Sequence, residues 1–131
     1  MYVRELMTPR VISVRPTDSI RAAREELSRH RIHHLLVLEH KRVVGVVAYR
    51  DLIGKPDTLT VAEVMSRDVV TVAPSDTARG AAALLLGRSH GCAAVLEAGV
   101  VTGVLTTTDL VRAISGGRRP AAAVPSQDAA L

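Results

Sequence analysis

The chain has 131 residues, 47% of them hydrophobic and 23% charged, and its formal net charge is +4. This length fits one domain or two half-size units that share a core, and it excludes TIM barrels, α/β-hydrolases and two-domain dehydrogenases. Tyr2 and Tyr49 are the only aromatic residues, so the core must be aliphatic. Nucleic-acid binding is not expected, because stacking rings and a stripe of Lys and Arg are both missing from the sequence.

The cysteine content and the hydropathy of the sequence indicate the cellular compartment of the protein. Cys92 is the only cysteine, so neither an internal disulfide nor a Cys-rich zinc site can form, and a reducing compartment is expected. No apolar segment resembles a signal peptide or is long enough to cross a bilayer. The sequence therefore predicts a cytoplasmic protein with no membrane contact.

The chain is an internal repeat with a period of 58 residues. Residues 3–53 align with residues 61–111 without a gap, and about 18 of the 51 positions are identical. A unit of this size cannot hold a stable core alone. We expect repeat 1 at residues 1–56, repeat 2 at residues 57–115 and a flexible tail at residues 116–131, where Gly, Pro and small residues show no period.

The sequence pattern of each repeat predicts secondary-structure elements in the order β-α-β-β-α. Apolar strands come first and end at a proline, and Thr17-Asp18 or Ser75-Asp76 then offers a helix cap. Two Val- and Leu-rich strands follow, and a short helix begins near each repeat's final aspartate. Because these strands are apolar throughout, they should be buried on both faces, with helices against the sheets and the two sheets close together. In repeat 1 the strands are expected at 11–14, 35–38 and 43–48, and the first helix at 19–30.

Three sequence features with catalytic or metal-binding potential have simpler explanations. Gly87–Gly91 matches the G-x-S-x-G nucleophile elbow around Ser89, but a helix precedes it and a strand follows it, which reverses the order that the motif needs. His33 and His34 are adjacent on a strand and point to opposite faces, so no metal site is predicted. Cys92 is expected to be a buried small hydrophobe. No catalytic residue is predicted.

The repeated ending is the remaining chemical signal. Asp51 and Asp109 each follow a strand, and in repeat 2 the hydroxyls of Thr106 and Thr108 precede the acid. A carboxylate can accept two hydrogen bonds from a ribose diol, and hydroxyls with free N–H groups suit a phosphate. Equally, both aspartates can simply cap their helices.

At this point each repeat resembles a CBS domain, the family named for cystathionine β-synthase. The matching stretches are LMTPRVISVRPTDSIRAA, RIHHLLVL and RVVGVVAYRDLI in repeat 1, with VMSRDVVTVAPSDTARGAA and VVTGVLTTTDLV in repeat 2. The resemblance implies an α/β tandem CBS pair, or Bateman module, with pseudo-twofold symmetry and two clefts between the repeats.

The same resemblance implies a regulatory, non-catalytic module that forms a homodimer and signals to an unidentified regulated protein. Its clefts would bind an adenosine compound such as AMP, ADP, ATP or S-adenosylmethionine. The alternative is a ligand-free structural or dimerisation module, because each cleft lacks part of the family pattern. Ala48 stands where Thr106 stands in repeat 2, and Leu36 and Ala94 replace the usual prolines.

The ligand residues implied by the resemblance fall into two sets. One cleft would use Asp109 for ribose, and Thr106 and Thr108 for phosphate or ribose, with adenine walls from Met7, Thr8, Ile12, Ile32 and His33. The other would use Asp51, with Arg50, His33 and His34 as cations and Met65, Ser66, Val70 and His90 along the base. Phosphate-rich ligands are expected to favour the Asp51 side, and adenosine-like ligands the Asp109 side.

Overall fold

A computed structural model of the chain describes residues 1–88 and 90–116. The first half forms α1 (Val3–Leu6), β1 (Ser13–Val14), α2 (Ile20–His30), β2 (His34–Glu39), β3 (Arg42–Ala48) and α3 (Tyr49–Leu52). The second half forms α4 (Val61–Val64), β4 (Val70–Val72), α5 (Ala78–Leu85), β5 (Cys92–Glu97), β6 (Val100–Thr106) and α6 (Thr107–Ile114). The predicted α/β fold of two matching repeats is confirmed, and α1 and α4 are helices that the sequence pattern did not predict.

Each half builds a three-stranded sheet with the same topology. The strand orders are β1-β2-β3 and β4-β5-β6, with a parallel first pair and an antiparallel second pair. Both hairpins turn through two residues with positive φ, which are His40 and Lys41 in repeat 1 and Ala98 and Gly99 in repeat 2. Positive φ at both central positions matches the right-handed twist of the strands.

The strands are buried on both faces, as their continuous apolar sequences predict. In β2, Leu35 and Val37 face the helices of the repeat 1 core, whereas Leu36 faces the other sheet. Period-two alternation places successive side chains in different cores. The two sheets meet through a third cluster, whose fully buried members are Leu36, Val46, Cys92 and Ala94.

The repeats exchange their first helices. Val3 of α1 is fully buried in the core of repeat 2, and Val61 of α4 is fully buried in the core of repeat 1. The backbone bonds follow the same symmetry, because Val3 N donates to Asp76 O and Val61 N donates to Asp18 O, each at 2.8 Å. Each core is therefore completed by residues from the opposite repeat.

A close backbone crossing fixes each exchanged segment. The N–H of Thr8 donates to the carbonyl of Val104 at 2.8 Å, and the N–H of Val104 donates back at 2.9 Å. Met7 then lies over Gly103, where an added Cβ would stand 2.8 Å from Met7 Sδ and 3.0 Å from the carbonyl oxygen of Thr8. Only glycine leaves room for this approach.

The boundaries of several elements correct the sequence prediction. The caps of α2 and α5 are Ser19 and Thr77, whose hydroxyls accept from backbone N–H groups three residues later at 3.0 Å. Asp18, predicted as part of a cap, instead accepts from Arg15 N at 2.8 Å and closes the preceding turn. The closing helices begin two residues before Asp51 and Asp109, so each aspartate lies inside its helix.

Two predicted features fall partly or wholly outside the described residues. The tail beyond residue 116 is one of them, and Ser89 of the elbow pattern is the other. Around Ser89, α5 ends at Leu85 and β5 begins at Cys92, which confirms the helix-then-strand order. Within the two described ranges, every helix is too short or too polar to serve as a membrane span.

Gly103→Ala tests the backbone crossing. The added methyl would overlap Met7 and press on the carbonyl of Thr8, so we expect a loss of about 1–3 kcal/mol in the free energy of unfolding, measured by urea denaturation. In a Met7→Ala background, Gly103→Ala should reduce the free energy of unfolding by less than it does in the wild type, because the added methyl no longer meets the Met7 side chain. Independent, additive losses would contradict the proposed overlap.

Candidate functional site

The two predicted carboxylates, Asp51 and Asp109, lie just after the ends of β3 and β6 and accept similar hydrogen bonds. Asp109 Oδ2 accepts from the N–H of Thr106 at 3.0 Å and from its hydroxyl at 3.2 Å. Asp51 Oδ2 accepts from the N–H of Ala48 at 2.7 Å. Each aspartate is thus the third residue of its helix and accepts from the N–H of the N-cap residue, so it contributes to capping as one reading of the sequence predicts, although the N-caps themselves are Ala48 and Thr106. A cap of this kind occupies part of a carboxylate and is compatible with ligand binding by the same group.

A small crevice between the repeats opens beside Thr106. It has a volume of about 10 Å³, which is room for one water molecule at most. Repeat 1 supplies Ile12 and Ile32 to its wall, as the sequence predicts, and repeat 2 supplies Thr106. Its remaining lining residues are Arg10, His34, Leu36, Cys92 and Val104. The crevice therefore has walls from both repeats, and a purine could enter only if they moved apart.

Several residues predicted for the Asp109 side have other positions. Thr8 is fully buried in the backbone crossing with Val104, and Met7 covers Gly103. His33 is exposed and lines a separate depression of about 370 Å³ at the end of α2, together with Tyr49. Thr108 is half-buried next to Asp109 in α6. The adenine wall is thus smaller than the sequence predicts.

On the opposite side, His90 reaches Asp51. Its Nε2 lies 2.8 Å from Asp51 Oδ2, and the His90 side chain is about nine-tenths buried. The family resemblance implies that His90 contacts the base of a ligand, but in the structure His90 contacts Asp51, the residue that the resemblance assigns to the ribose. This contact joins repeat 2 to repeat 1.

The other residues predicted for the Asp51 side are divided between packing and surface. Met65 lies over Gly45, and Ser66 pairs with Val46 through the backbone, repeating the crossing seen at Gly103. Val70 is buried in the core of repeat 2. Arg50 is exposed in the first turn of α3. Of these residues, Arg50 alone keeps the predicted character of an accessible cation.

His34 lies between the two sides and is uncharged. Burial, with smaller electrostatic contributions from His90, His33 and Arg50, lowers the pKa of His34 to about 4, although Asp51 acts in the opposite direction. Its ring contacts the His90 ring edge-on with centroids 6.5 Å apart. His34 is therefore neutral in this structure at neutral pH, and its role as a phosphate-binding cation stays a prediction. Within residues 1–88 and 90–116, its Nδ1 finds no hydrogen-bond partner.

Cys92 is inert, as predicted. It is 2% exposed, and burial together with the charge of Asp109 raises the pKa of its thiol to about 12. A thiol with so high a pKa is neither a nucleophile nor a metal ligand at neutral pH. Cys92 contributes a small neutral surface to the crevice.

Arg10 is the functional candidate that sequence reasoning missed. It lies in the loop before β1 and lines the crevice as an exposed cation. A signal was present, because Arg10 and Ile12 are spaced by two, and residues with this spacing share one side of an extended segment. The equivalent position in repeat 2 is Asp68, which forms an ion pair with Arg88.

His34 links the stability of the fold to pH. A histidine in an unfolded chain titrates near about 6.5, whereas folded His34 has a pKa of about 4. Stability from neutral His34 is therefore complete above about pH 6.5 and is lost as the pH falls toward 4. We expect this residue to lower the free energy of unfolding by at most about 3 kcal/mol across that window, measured by urea melts. The matched control is His34→Cys, the residue at the equivalent position of repeat 2, which should flatten the pH dependence. An equally steep fall in this variant would contradict the assignment.

Comparisons with known proteins agree with this architecture. The model of the CBS domain matches residues 3–56 and again residues 61–116. The crystal structure of CBSX2 in complex with AMP superposes with a TM-score of 0.76 at 30% identity, covering 88% of this chain and 96% of that one.

Two curated relatives are much longer proteins. The chain is 35% identical over 116 residues to homoserine O-acetyltransferase of Methanocorpusculum labreanum, covering 84% of this chain and 23% of that protein. It is 31% identical over 102 residues to inosine-5'-monophosphate dehydrogenase of Korarchaeum cryptofilum, covering 76% of this chain and 21% of the enzyme. The chain thus spans about a quarter of these relatives or less. With two matches that together cover most of its length, the chain belongs to the CBS domain family and contains two CBS domains in tandem.

Proposed function

We propose that the chain is a non-catalytic regulatory module that binds an adenosine nucleotide in the crevice beside Thr106 and Asp109. The observation that carries this proposal is the crevice in which Thr106, at the end of β6, lies opposite Ile12 and Ile32 of the other repeat, with the buried Asp109 hydrogen-bonded to Thr106. A carboxylate beside a hydroxyl suits a ribose diol, and two aliphatic side chains suit the faces of a purine. The complex of CBSX2 with AMP supports this ligand class.

Arg10 supports a phosphorylated ligand on this side. Among the described residues it is the cation that lines the crevice, and guanidinium groups bind phosphate through several N–H donors. The Asp109 side therefore combines a ribose acceptor with a cation. This arrangement replaces our expectation from sequence that phosphate-rich ligands favour the Asp51 side.

Because the crevice is small, ligand binding in it would require a conformational change. Because about 10 Å³ cannot hold a purine, the bound state needs a wider separation of the two repeats at this point. A ligand shifts a conformational equilibrium only by its difference in affinity for the two states. Nucleotide binding would therefore favour the wider arrangement, which a regulated protein or a dimer partner could detect.

Isothermal titration of the purified chain with AMP, ATP and S-adenosylmethionine tests the proposal. We expect binding of at least one of these ligands, and Asp109→Ala should weaken it by about tenfold or more because the ribose loses its acceptor. The matched comparison is Asp51→Ala, which removes the equivalent carboxylate of repeat 1 and should not weaken binding as Asp109→Ala does. Circular dichroism checks that both variants fold.

No heat with any ligand would contradict nucleotide sensing. If sedimentation then showed a stable dimer, the alternative of a ligand-free dimerisation module would be favoured. That alternative is favoured by an apolar groove of about 700 Å³ that lies between α1, α5 and α6. Ile114 at its edge is 87% exposed.

Arg10→Ala separates recognition of phosphate from recognition of the nucleoside. We expect this variant to bind AMP several-fold to about tenfold more weakly, because a charge-assisted hydrogen bond is lost. Adenosine should bind the variant and the wild type equally. Equal losses for both compounds in the same titrations would show that Arg10 acts on the crevice walls rather than on the phosphate.

A further inference from the structure

We propose that the depression at the end of α2, which His33 and Tyr49 line, binds a small organic anion that carries an aromatic ring, such as an aryl phosphate. Its volume of about 370 Å³ lies within the range of about 300–1,000 Å³ that is typical of small-molecule sites. All of its described lining residues belong to repeat 1, and they include neither Asp51 nor Asp109. The inference is therefore independent of the function proposed above.

The depression has an apolar floor and an aromatic wall. Leu27 and Ile32 line it and are 3% and 4% exposed, so they form the floor. Tyr49 lines it from the first turn of α3 and is 55% exposed. A ring can pack against an exposed aromatic side chain in an offset or edge-on arrangement. These three side chains favour a ligand with a planar apolar part.

Arg31 supplies a positive charge that the protein leaves unbalanced. Among the described residues, the Arg31 guanidinium forms no ion pair. The two acidic residues of α2 are Glu25 and Glu26, and both lie within ion-pair distance of other cations. The described lining of the depression contains no Asp or Glu. Because a guanidinium binds phosphate and carboxylate groups through several N–H donors, the site favours an anion.

The other arginine of the wall, Arg24, has a structural role. Its guanidinium donates to the carboxylate of Asp57 and to two backbone carbonyls of the segment that joins the repeats, at 2.8 and 2.6 Å. Arg24 is therefore held in place and its charge is balanced. In the part of the chain that the structure describes, the hydroxyls of Ser28 and Tyr49 make no hydrogen bond. Both can donate to an anion that Arg31 holds.

The backbone holds Arg31 at a sharp turn. Arg31 follows the last residue of α2 in the left-handed conformation, with φ of 55°, and its N–H donates to the carbonyls of Leu27 and Ser28. The N–H of Ile32 also donates to the carbonyl of Leu27, at 3.1 Å. These bonds occupy carbonyls at the C-terminal end of the helix. They therefore reduce the partial negative charge with which a helix end opposes an anion.

The internal duplication shows that these groups are not part of the shared scaffold. A shift of 58 residues relates His33 and Tyr49 to Gly91 and Thr107. The backbone is the same in both repeats, because Tyr49 N donates to His33 O at 3.0 Å and Thr107 N donates to Gly91 O at 2.9 Å. A side chain at position 91 would overlap the hydroxyl of Thr107. Repeat 2 therefore cannot offer the histidine and the aromatic ring that line the depression of repeat 1.

Tyr49 gives the experiment a direct readout. The chain has two tyrosines and no tryptophan, so Tyr2→Phe leaves Tyr49 as the only tyrosine in the full-length chain. Titration of this variant with phenyl phosphate should change the Tyr49 fluorescence in a saturable manner, and isothermal titration should give one site per chain. Inorganic phosphate, which has no ring to bury, should bind about tenfold more weakly or worse.

Arg31→Asn tests the cation, because asparagine tolerates the left-handed conformation better than most residues do. We expect the affinity for phenyl phosphate to fall by about tenfold or more, because a charge-assisted hydrogen bond is lost. The matched control is Arg29→Gln, which removes a positive charge from the same end of α2 but not from the depression. This control should leave the affinity unchanged.

The outcomes separate this inference from the proposed function. No saturable response to phenyl phosphate at millimolar concentration, or equal losses in Arg31→Asn and Arg29→Gln, would overturn the inference and leave AMP binding at the crevice untouched. Loss of phenyl phosphate binding in Arg10→Ala would assign the anion to the crevice and also contradict it. If Arg31→Asn does not fold, amide chemical shifts of the wild type decide the question. Shifts at Ser28 and Tyr49 support the inference, and shifts confined to residues of the crevice contradict it.

Discussion

Exchange of the first helices is the constraint on which the structure depends. Without Val61 the core of repeat 1 would be open at one end, and without Val3 the core of repeat 2 would be open in the same way. A unit of about 55 residues buries too little apolar surface to be stable alone. The exchange joins the two units into one folding unit, and the backbone crossings at Gly45 and Gly103 fix how closely the sheets approach.

The position of the crevice follows from this exchange. The segment that leaves α1 crosses β6 at Thr8 and continues through Arg10 to Ile12. It therefore brings side chains of repeat 1 to the end of a strand of repeat 2, where Thr106 and Asp109 cap the last helix. A site made this way has one wall from each repeat, so under the proposed function a ligand there would contact both.

The sequence predicts the fold well because its main signals are strong and repeated. Apolar runs that occur twice in the same order define the strands, and the fully buried Leu36 and Val47 confirm that both faces are covered. The observed helix caps lie one residue after the predicted ones, because Asp18 and Ser19 are both good capping residues and only the three-dimensional turn decides which is used. The candidate site was less predictable. Ile12 and Ile32, which the family resemblance implied, do line the crevice, but the neutral state of His34 depends on burial that no local pattern reveals.

Duplication also explains why two sites of common origin need not keep the same chemistry. The scaffold positions, such as Gly45 and Gly103, are constrained by packing in both repeats. Other equivalent positions differ, such as Ile32 and His90, of which only the histidine has a hydrogen-bonding side chain. Once His90 donates to Asp51, that carboxylate gains a partner in the absence of a ligand, and the contact ties repeat 2 to repeat 1.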